Sequence, residues 1–319
     1  MPVDVSLLRD FAALGTATLW TFSALAWGLA GRKIGSMAVV TIRTVLAVAI
    51  LLGIHWAAMG EPWPTRLAAE PLVLLLIGGV LSTGIGDMLL FRSLLVIGPR
   101  LGMLMQSLAP IFSVILAWLI AGEAIGPRAG AGIALAVAGV AWVVSERAGR
   151  NNAWPVEPRQ FRHGIIVSLL SAVCMALGFV FSRMGLQSGQ SVLGEGEVVG
   201  ATPLAATLIR FSAGGVFCLL MVAFSRRLPK TIAAVGSGKP MLIVIAGTLT
   251  GPVIGAWLSM YALEGTSTGI TMALINTTPI IMIPVARIAY GERITRRSVA
   301  GTLLAMAGVA LMLLRDRSQ

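Results

Sequence analysis

Charge is what this chain has least of. Only 12% of its 319 residues are Asp, Glu, Lys or Arg, about half of the roughly 25% found in an ordinary soluble domain. That is too little to cover a water-facing surface, and a soluble enzyme is excluded. Cysteine and histidine are nearly absent, with two of each. Cys174 and Cys218 both fall inside apolar runs, so no disulfide framework is implied, while His55 and His163 each stand alone. Neither a metal site nor Ser-His-Asp chemistry has residues to build on. The nucleotide-binding pattern Gly-x(4)-Gly-Lys-Ser/Thr is also missing. Any energy-driven activity would draw on an ion or solute gradient, and no cofactor is expected.

What is present is apolar sequence: 57% hydrophobic residues and a mean hydropathy of +0.90. It falls into runs of about 20 residues, the length that carries a helix across a hydrocarbon core. Ten spans are predicted, near 11–30, 37–58, 72–95, 100–121, 127–145, 164–184, 203–224, 241–263, 269–289 and 297–314. The fold class expected is an all-α polytopic membrane protein. Asp4, Arg9 and Asp10, with no small-residue cleavage site after the run, mark the first span as a retained helix rather than a signal peptide. Most connections are short and carry Gly or Pro, so successive helices are antiparallel. The net charge of +11 would suggest nucleic acid in a soluble protein. Here the basic residues sit between apolar runs and record topology instead.

Two longer polar stretches remain. Residues 146–163 divide the spans five and five, giving units 1–150 and 151–319, and the Gly-rich stretch 187–202 reads as a loop. A shift of 169 residues lays Pro110 on Pro279, Gly122-Glu123 on Gly291-Glu292, Arg128 on Arg297 and Gly139-Val140-Ala141 on Gly308-Val309-Ala310. It yields about 20 identities over roughly 64 positions, the mark of an internal repeat. Five is odd, so the second copy enters the membrane from the opposite side. Inverted repeats of this kind are typical of secondary transporters, with substrate sites near the midplane; an old duplication kept for packing is the alternative.

With charge so scarce, charges inside spans stand out. Asp87, in Gly84-Ile85-Gly86-Asp87, is the one carboxylate well inside a span, and intramembrane ionisable residues are functional candidates. Arg43 lies at a similar depth, roughly 9–12 Å from the same side at 1.5 Å per residue, so either a structural ion pair or a substrate- or proton-coupling site is open. Arg210 occupies the place of Arg43 in the second half, where Ala256 replaces Asp87. It has two readings, snorkelling to the interface or attracting an anionic group of a substrate. Arg92 and Arg287, close to span ends, read as snorkelling. Gly-x-Gly-Asp also occurs in intramembrane aspartyl proteases, but that chemistry needs a second acid. Asp4, Asp10 and Asp316 all lie outside the spans.

Polar and helix-breaking residues gather at two corresponding places: Gln106-Ser107 before Pro110, and Asn276-Thr277-Thr278 before Pro279, with Pro284 beyond. Symmetric interruptions point to a binding site, though these groups could equally bond to neighbouring helices. Gly122 and Gly291 suit helix C-caps, and Glu123 and Glu292 suit the start of the next helix; a substrate role for either Glu is the other reading. Gly132 with Gly139, and Gly301 with Gly308, read as close helix packing.

The Pro-x(11)-Gly-Glu element near the end of each half, the Gly-containing final helices, Trp20, and Arg43 and Arg210 early in their second spans resemble the EamA type of the drug/metabolite transporter superfamily. The resemblance covers essentially the whole chain. It implies ten helices around a central cavity in the cell's cytoplasmic membrane, and transport of small organic solutes, often by export. Small multidrug-resistance relatives carry a membrane-embedded Glu in the first helix, which this chain lacks after Asp10. The expected function is therefore secondary transport of amino-acid-like or drug-like solutes by alternating access, with protons a candidate coupling ion. A membrane-embedded enzyme and a non-transporting binding protein are the alternatives. The charge count places the termini outside, whereas the resemblance implies termini in the cytoplasm.

Overall fold

The computed structural model describes residues 5–65, 67–121, 126–147, 157–188, 202–263, 274–291 and 294–313. Among them the ordered elements are helical throughout, with no strand. In chain order they are α1 (Val5–Ile34), α2 (Ser36–Met59), α3 (Ala69–Gly79), a π-helical segment (Val80–Gly86), α4 (Asp87–Ile97), α5 (Pro99–Gln106), α6 (Ala109–Ala121) and α7 (Pro127–Arg147). They continue as α8 (Pro158–Ser188), α9 (Pro203–Phe224), α10 (Leu228–Val235), α11 (Lys239–Thr248), a second π segment (Leu249–Gly255), α12 (Ala256–Leu263), α13 (Thr278–Tyr290) and α14 (Arg296–Leu313).

Seven described stretches are long and apolar enough to cross a bilayer: Ser36–Met59, Ala69–Ile97, Pro99–Leu116, Pro127–Ser145, Pro158–Leu186, Pro203–Phe224 and Lys239–Ser259. Thr278–Tyr290 is a shorter apolar helix. The protein is polytopic, as composition requires. Several boundaries differ from the sequence reading. α8 begins at Pro158, ahead of residue 164, and the short amphipathic α10 was not anticipated. The 189–201 part of the polar stretch at 187–202, and Gly122, Glu123 and Glu292, lie outside the described residues.

Helix ends follow local chemistry. Thr202 caps α9 by accepting a hydrogen bond from the Ala205 amide at 3.2 Å, with Pro203 at the first helical position, where a missing N–H costs nothing. Gly291 closes α13 in the left-handed conformation at φ 63°, its N–H bonded back to the last turn, the cap expected of it.

The shift of 169 residues recurs in the backbone. Val80–Gly86 and Leu249–Gly255, both π-helical, are 169 apart. So are the turns Ser107-Leu108 and Asn276-Thr277, which separate α5 from α6 and precede α13. Pro110 and Pro279, read from sequence as helix-breaking residues inside their spans, therefore do not interrupt a helix in its middle. Each sits in the first turn of a new helix, where its missing donor is tolerated.

Packing interleaves the two halves. α1 rests on α11, the second π segment, α12 and α13, while α8 rests on α3, the first π segment, α4 and α6; α2 packs on α9, and α7 on α14. In the last pair Gly132 faces Gly308 and Met312, while Gly139 faces Gly301 and Ala305. The residue numbers rise on one helix as they fall on the other, so α7 and α14 run antiparallel. Gly301 in turn meets Val143, and Gly308 meets Ala136. These contacts are the first set with the halves exchanged. Small residues let the backbones approach closely, which confirms the packing role read for these four glycines.

Candidate functional site

Arg43 lies on the buried face of α2, one turn from Val40 and Ala47, with only 3% of its surface exposed. Its Nη2 donates to Asp87 Oδ2, at the first residue of α4. The pairing judged reachable from sequence depth is thus formed. A charged group in an apolar interior is tolerated where it is paired and bonded, and aromatic faces supply the rest. The guanidinium carbon lies 4.6 Å from the ring centre of Trp27 (α1), 4.9 Å from Phe91 (α4) and 6.0 Å from Phe211 (α9). Around them Trp27, Val40, Leu90, Phe91, Leu94 and Cys218 form part of one buried cluster.

Arg210 turns inward. Its Nη2 donates to the buried Ser82 Oγ at 3.1 Å, and its guanidinium lies 5.2 Å from the ring centre of Phe179 (α8). Ser82 belongs to the π segment that runs directly into Asp87, and Phe211, the residue after Arg210, is the ring 6.0 Å from the Arg43 guanidinium. Snorkelling, the other sequence reading, is not the geometry found. Arg92 and Arg287 are exposed, in keeping with snorkelling. Two arginines, one from each half of the chain, thus bond to the stretch between Ser82 and Asp87. The Nε atoms of both arginines are buried and make no hydrogen bond among the described residues.

Glycine lets these elements meet. A methyl on Gly79 would run into the backbone of Arg210, and one on Gly214 would come within 2.7 Å of Thr83. α9 therefore lies directly against α3 and the first π segment. A π turn leaves part of the regular carbonyl ladder unmatched and recurs at functional sites. Here the Gly86 carbonyl, one residue before Asp87, accepts from Ser171 Oγ at 2.7 Å, and Gln106 Nε2 donates to Ser171 Oγ at 2.5 Å. Gln106, at the end of α5, is thereby linked to the backbone next to Asp87.

Asn276 lies at the corresponding break before α13, half-buried. There Thr278 Oγ1 reaches the Ala17 carbonyl of α1 at 3.5 Å. The structure thus brings together Asp87, Arg43, Arg210 and, through Ser171, Gln106. It places Asn276, Pro110 and Pro279 at the helix breaks. Ser82, Ser171, Trp27 and Phe179 were missed from sequence, since a lone hydroxyl or aromatic in an apolar helix carries no signature. His55 is explained locally: its Nδ1 lies 2.7 Å from the Glu61 carbonyl, pinning the turn after α2. Cys174 and Cys218 are free thiols.

Apolar helices long enough to cross a bilayer, packed around a buried charge cluster, define a polytopic membrane protein. The model of the EamA-like transporter family matches twice, at residues 7–145 and 162–314, and the chain belongs to that family. No curated protein matches it. A solved structure described only as a crystal structure of a protein superposes with a TM-score of 0.59, covering 96% of this chain and 95% of that one at 18% identity. That likeness concerns the fold.

Proposed function

We propose that this protein is a secondary transporter, working as an exporter of small organic metabolites in the cytoplasmic membrane. On this reading ten spans form two inverted five-helix units, 1–150 and 151–319, which alternate access to a shared site. One observation carries it. Arg210 of the second unit bonds to Ser82 of the first, in the segment that leads into the Arg43–Asp87 pair, so relative motion of the units would remake that contact. The antiparallel packing of α7 on α14, equivalent helices under the 169-residue shift, supports the inverted arrangement.

Asp87, Arg43 and Arg210 are the proposed substrate or coupling residues, with Gln106 and Asn276 at the flanking breaks. A proton carried on Asp87 would leave the buried Arg43 facing a neutral group, with the half-buried Arg210 close by. Proton coupling therefore requires Arg43 or Arg210 to gain another partner in the same step.

The test is exchange across proteoliposomes containing the purified chain, using labelled amino acids, nucleosides, monocarboxylates and cationic drugs. The reading expects saturable counterflow of at least one class, lost in Arg210→Met. Specific binding without counterflow of any class would favour a binding protein instead.

A further inference from the structure

We infer that the solute carried is a monoanion, an organic carboxylate with an apolar body, held between Arg210 and Arg43. The inference rests on the transporter reading and narrows its substrate. Among the described residues the stretch from Ser82 to Asp87 receives two guanidiniums, Arg210 on Ser82 and Arg43 on Asp87, and carries one carboxylate, leaving one positive charge without a counterpart among those residues. Uncompensated charge in a low-dielectric interior is costly, and an arriving anion removes that cost. A monocarboxylate brings the cluster to neutrality. A zwitterionic amino acid leaves it at one positive charge, and a cationic drug raises it to two.

The donors for such a group are present. Arg43 spends Nη2 on Asp87 and Arg210 spends Nη2 on Ser82, while the Nε of each is buried and unbonded. A guanidinium presents its N–H groups as a planar fork that suits a carboxylate. Arg210 is half-buried, whereas Arg43 is almost wholly enclosed, so the anion would meet Arg210 first. The rings of Phe179 beside Arg210, and of Trp27 and Phe91 beside Arg43, supply apolar faces for the body of the solute. An anionic lipid headgroup shares the anion chemistry, so the experiment separates the two sources.

The probes are benzoate, benzamide, benzylamine and phenylalanine, applied at equal ionic strength to the full chain in neutral detergent while thermal unfolding is followed. Benzoate is expected to raise Tm by several degrees in a saturable way, as a ligand selective for the native state does, with little effect from the other three. Arg210→Gln is expected to raise the half-saturating benzoate concentration at least about tenfold, with Arg210→Lys, which keeps the charge but not the fork, falling between wild type and Arg210→Gln. An equal rise with benzamide or benzylamine overturns the inference, as does an unchanged benzoate curve in Arg210→Gln. So does a rise with phosphatidylglycerol but not with benzoate, which assigns the anion to lipid. The wild-type comparison stands even where Arg210→Gln does not fold. Benzoate binding without counterflow would remove the transporter reading and leave the anion site. Counterflow of cations that benzoate does not inhibit would do the reverse.

Discussion

Gly79 lies against the main chain of Arg210, so closely that a side chain at position 79 has no room. That contact places a residue of the second half beside Asp87. The guanidinium of Arg210 bonds to Ser82, three residues along from Gly79 and one turn before Gly86. The site therefore depends on a backbone-to-backbone approach between α3 and α9 as much as on its charges.

Gly79→Ala is accordingly expected to push α9 away and to destabilise the protein by about 1–3 kcal/mol, the usual cost of overpacking. Gly53→Ala in α2 is the control, since nothing lies within 4 Å of a methyl there; its effect should be neutral or a gain of up to about 1 kcal/mol from helix propensity. Thermal unfolding in detergent measures both. Equal Tm values for the two variants would show that the approach at Gly79 is not tight.

The Arg43–Asp87 pair predicts an asymmetry. Asp87→Asn leaves the buried Arg43 and the half-buried Arg210 without a carboxylate, whereas Arg43→Gln leaves Asp87 in the same segment as the Arg210 contact at Ser82. Breaking a buried pair costs about 3–5 kcal/mol. Asp87→Asn should fall at the upper end of that range and Arg43→Gln below it. The double variant should be less destabilised than the sum of the two, because the Arg43 charge that Asp87→Asn strands is removed by Arg43→Gln. Unfolding in a mixed-detergent titration reads all three, and additive effects would mean that the pair is not coupled.

Much of this architecture was legible in the sequence, and the reasons are physical. Long apolar runs announce membrane helices because the bilayer leaves little alternative, and depth alone put Arg43 within reach of Asp87. The 169-residue shift was readable from Pro110, Gly122 and Gly139 and their counterparts, and it locates both π segments and both helix breaks. Local geometry was harder. Pro110 was read as a helix break within one span, but a proline in a first turn and one in mid-helix leave the same letter. Arg210 was open between snorkelling and an inward role, because whether a long side chain turns in depends on what lies against its helix. The answer, Gly79 and Ser82, is remote in sequence. Glu123 and Glu292, prominent in the repeat, lie outside the described residues.

The α7–α14 contact offers a test of symmetry. A methyl on Gly139 would meet the backbone of Ala305, and one on Gly308 the backbone of Ala136, the same contact with the halves exchanged. Gly139→Ala and Gly308→Ala should lower stability by matching amounts, about 1–3 kcal/mol each. Gly130→Ala, with nothing within 4 Å, should leave it almost unchanged. Markedly unequal Tm losses at positions 139 and 308 would show that the two halves do not share this interface as equals.

Ser171 connects two features that otherwise lie apart. Its hydroxyl donates to the Gly86 carbonyl at the end of the first π segment and accepts from Gln106 at the break after α5. Ser171→Ala removes both bonds at once and leaves a buried carbonyl and a half-buried amide without this partner. The expected loss is about 1–3 kcal/mol. Gln106→Leu removes only the outer bond, and Ser171 can still satisfy Gly86, so its loss should be about 1 kcal/mol or less. If the chain of bonds holds the π turn in place, amide hydrogen exchange at residues 80–87 should quicken in Ser171→Ala and stay near the wild-type rate in Gln106→Leu. Equal protection in the two variants would mean that the π turn is held by its own packing against α8 and α9, with Ser171 a bystander.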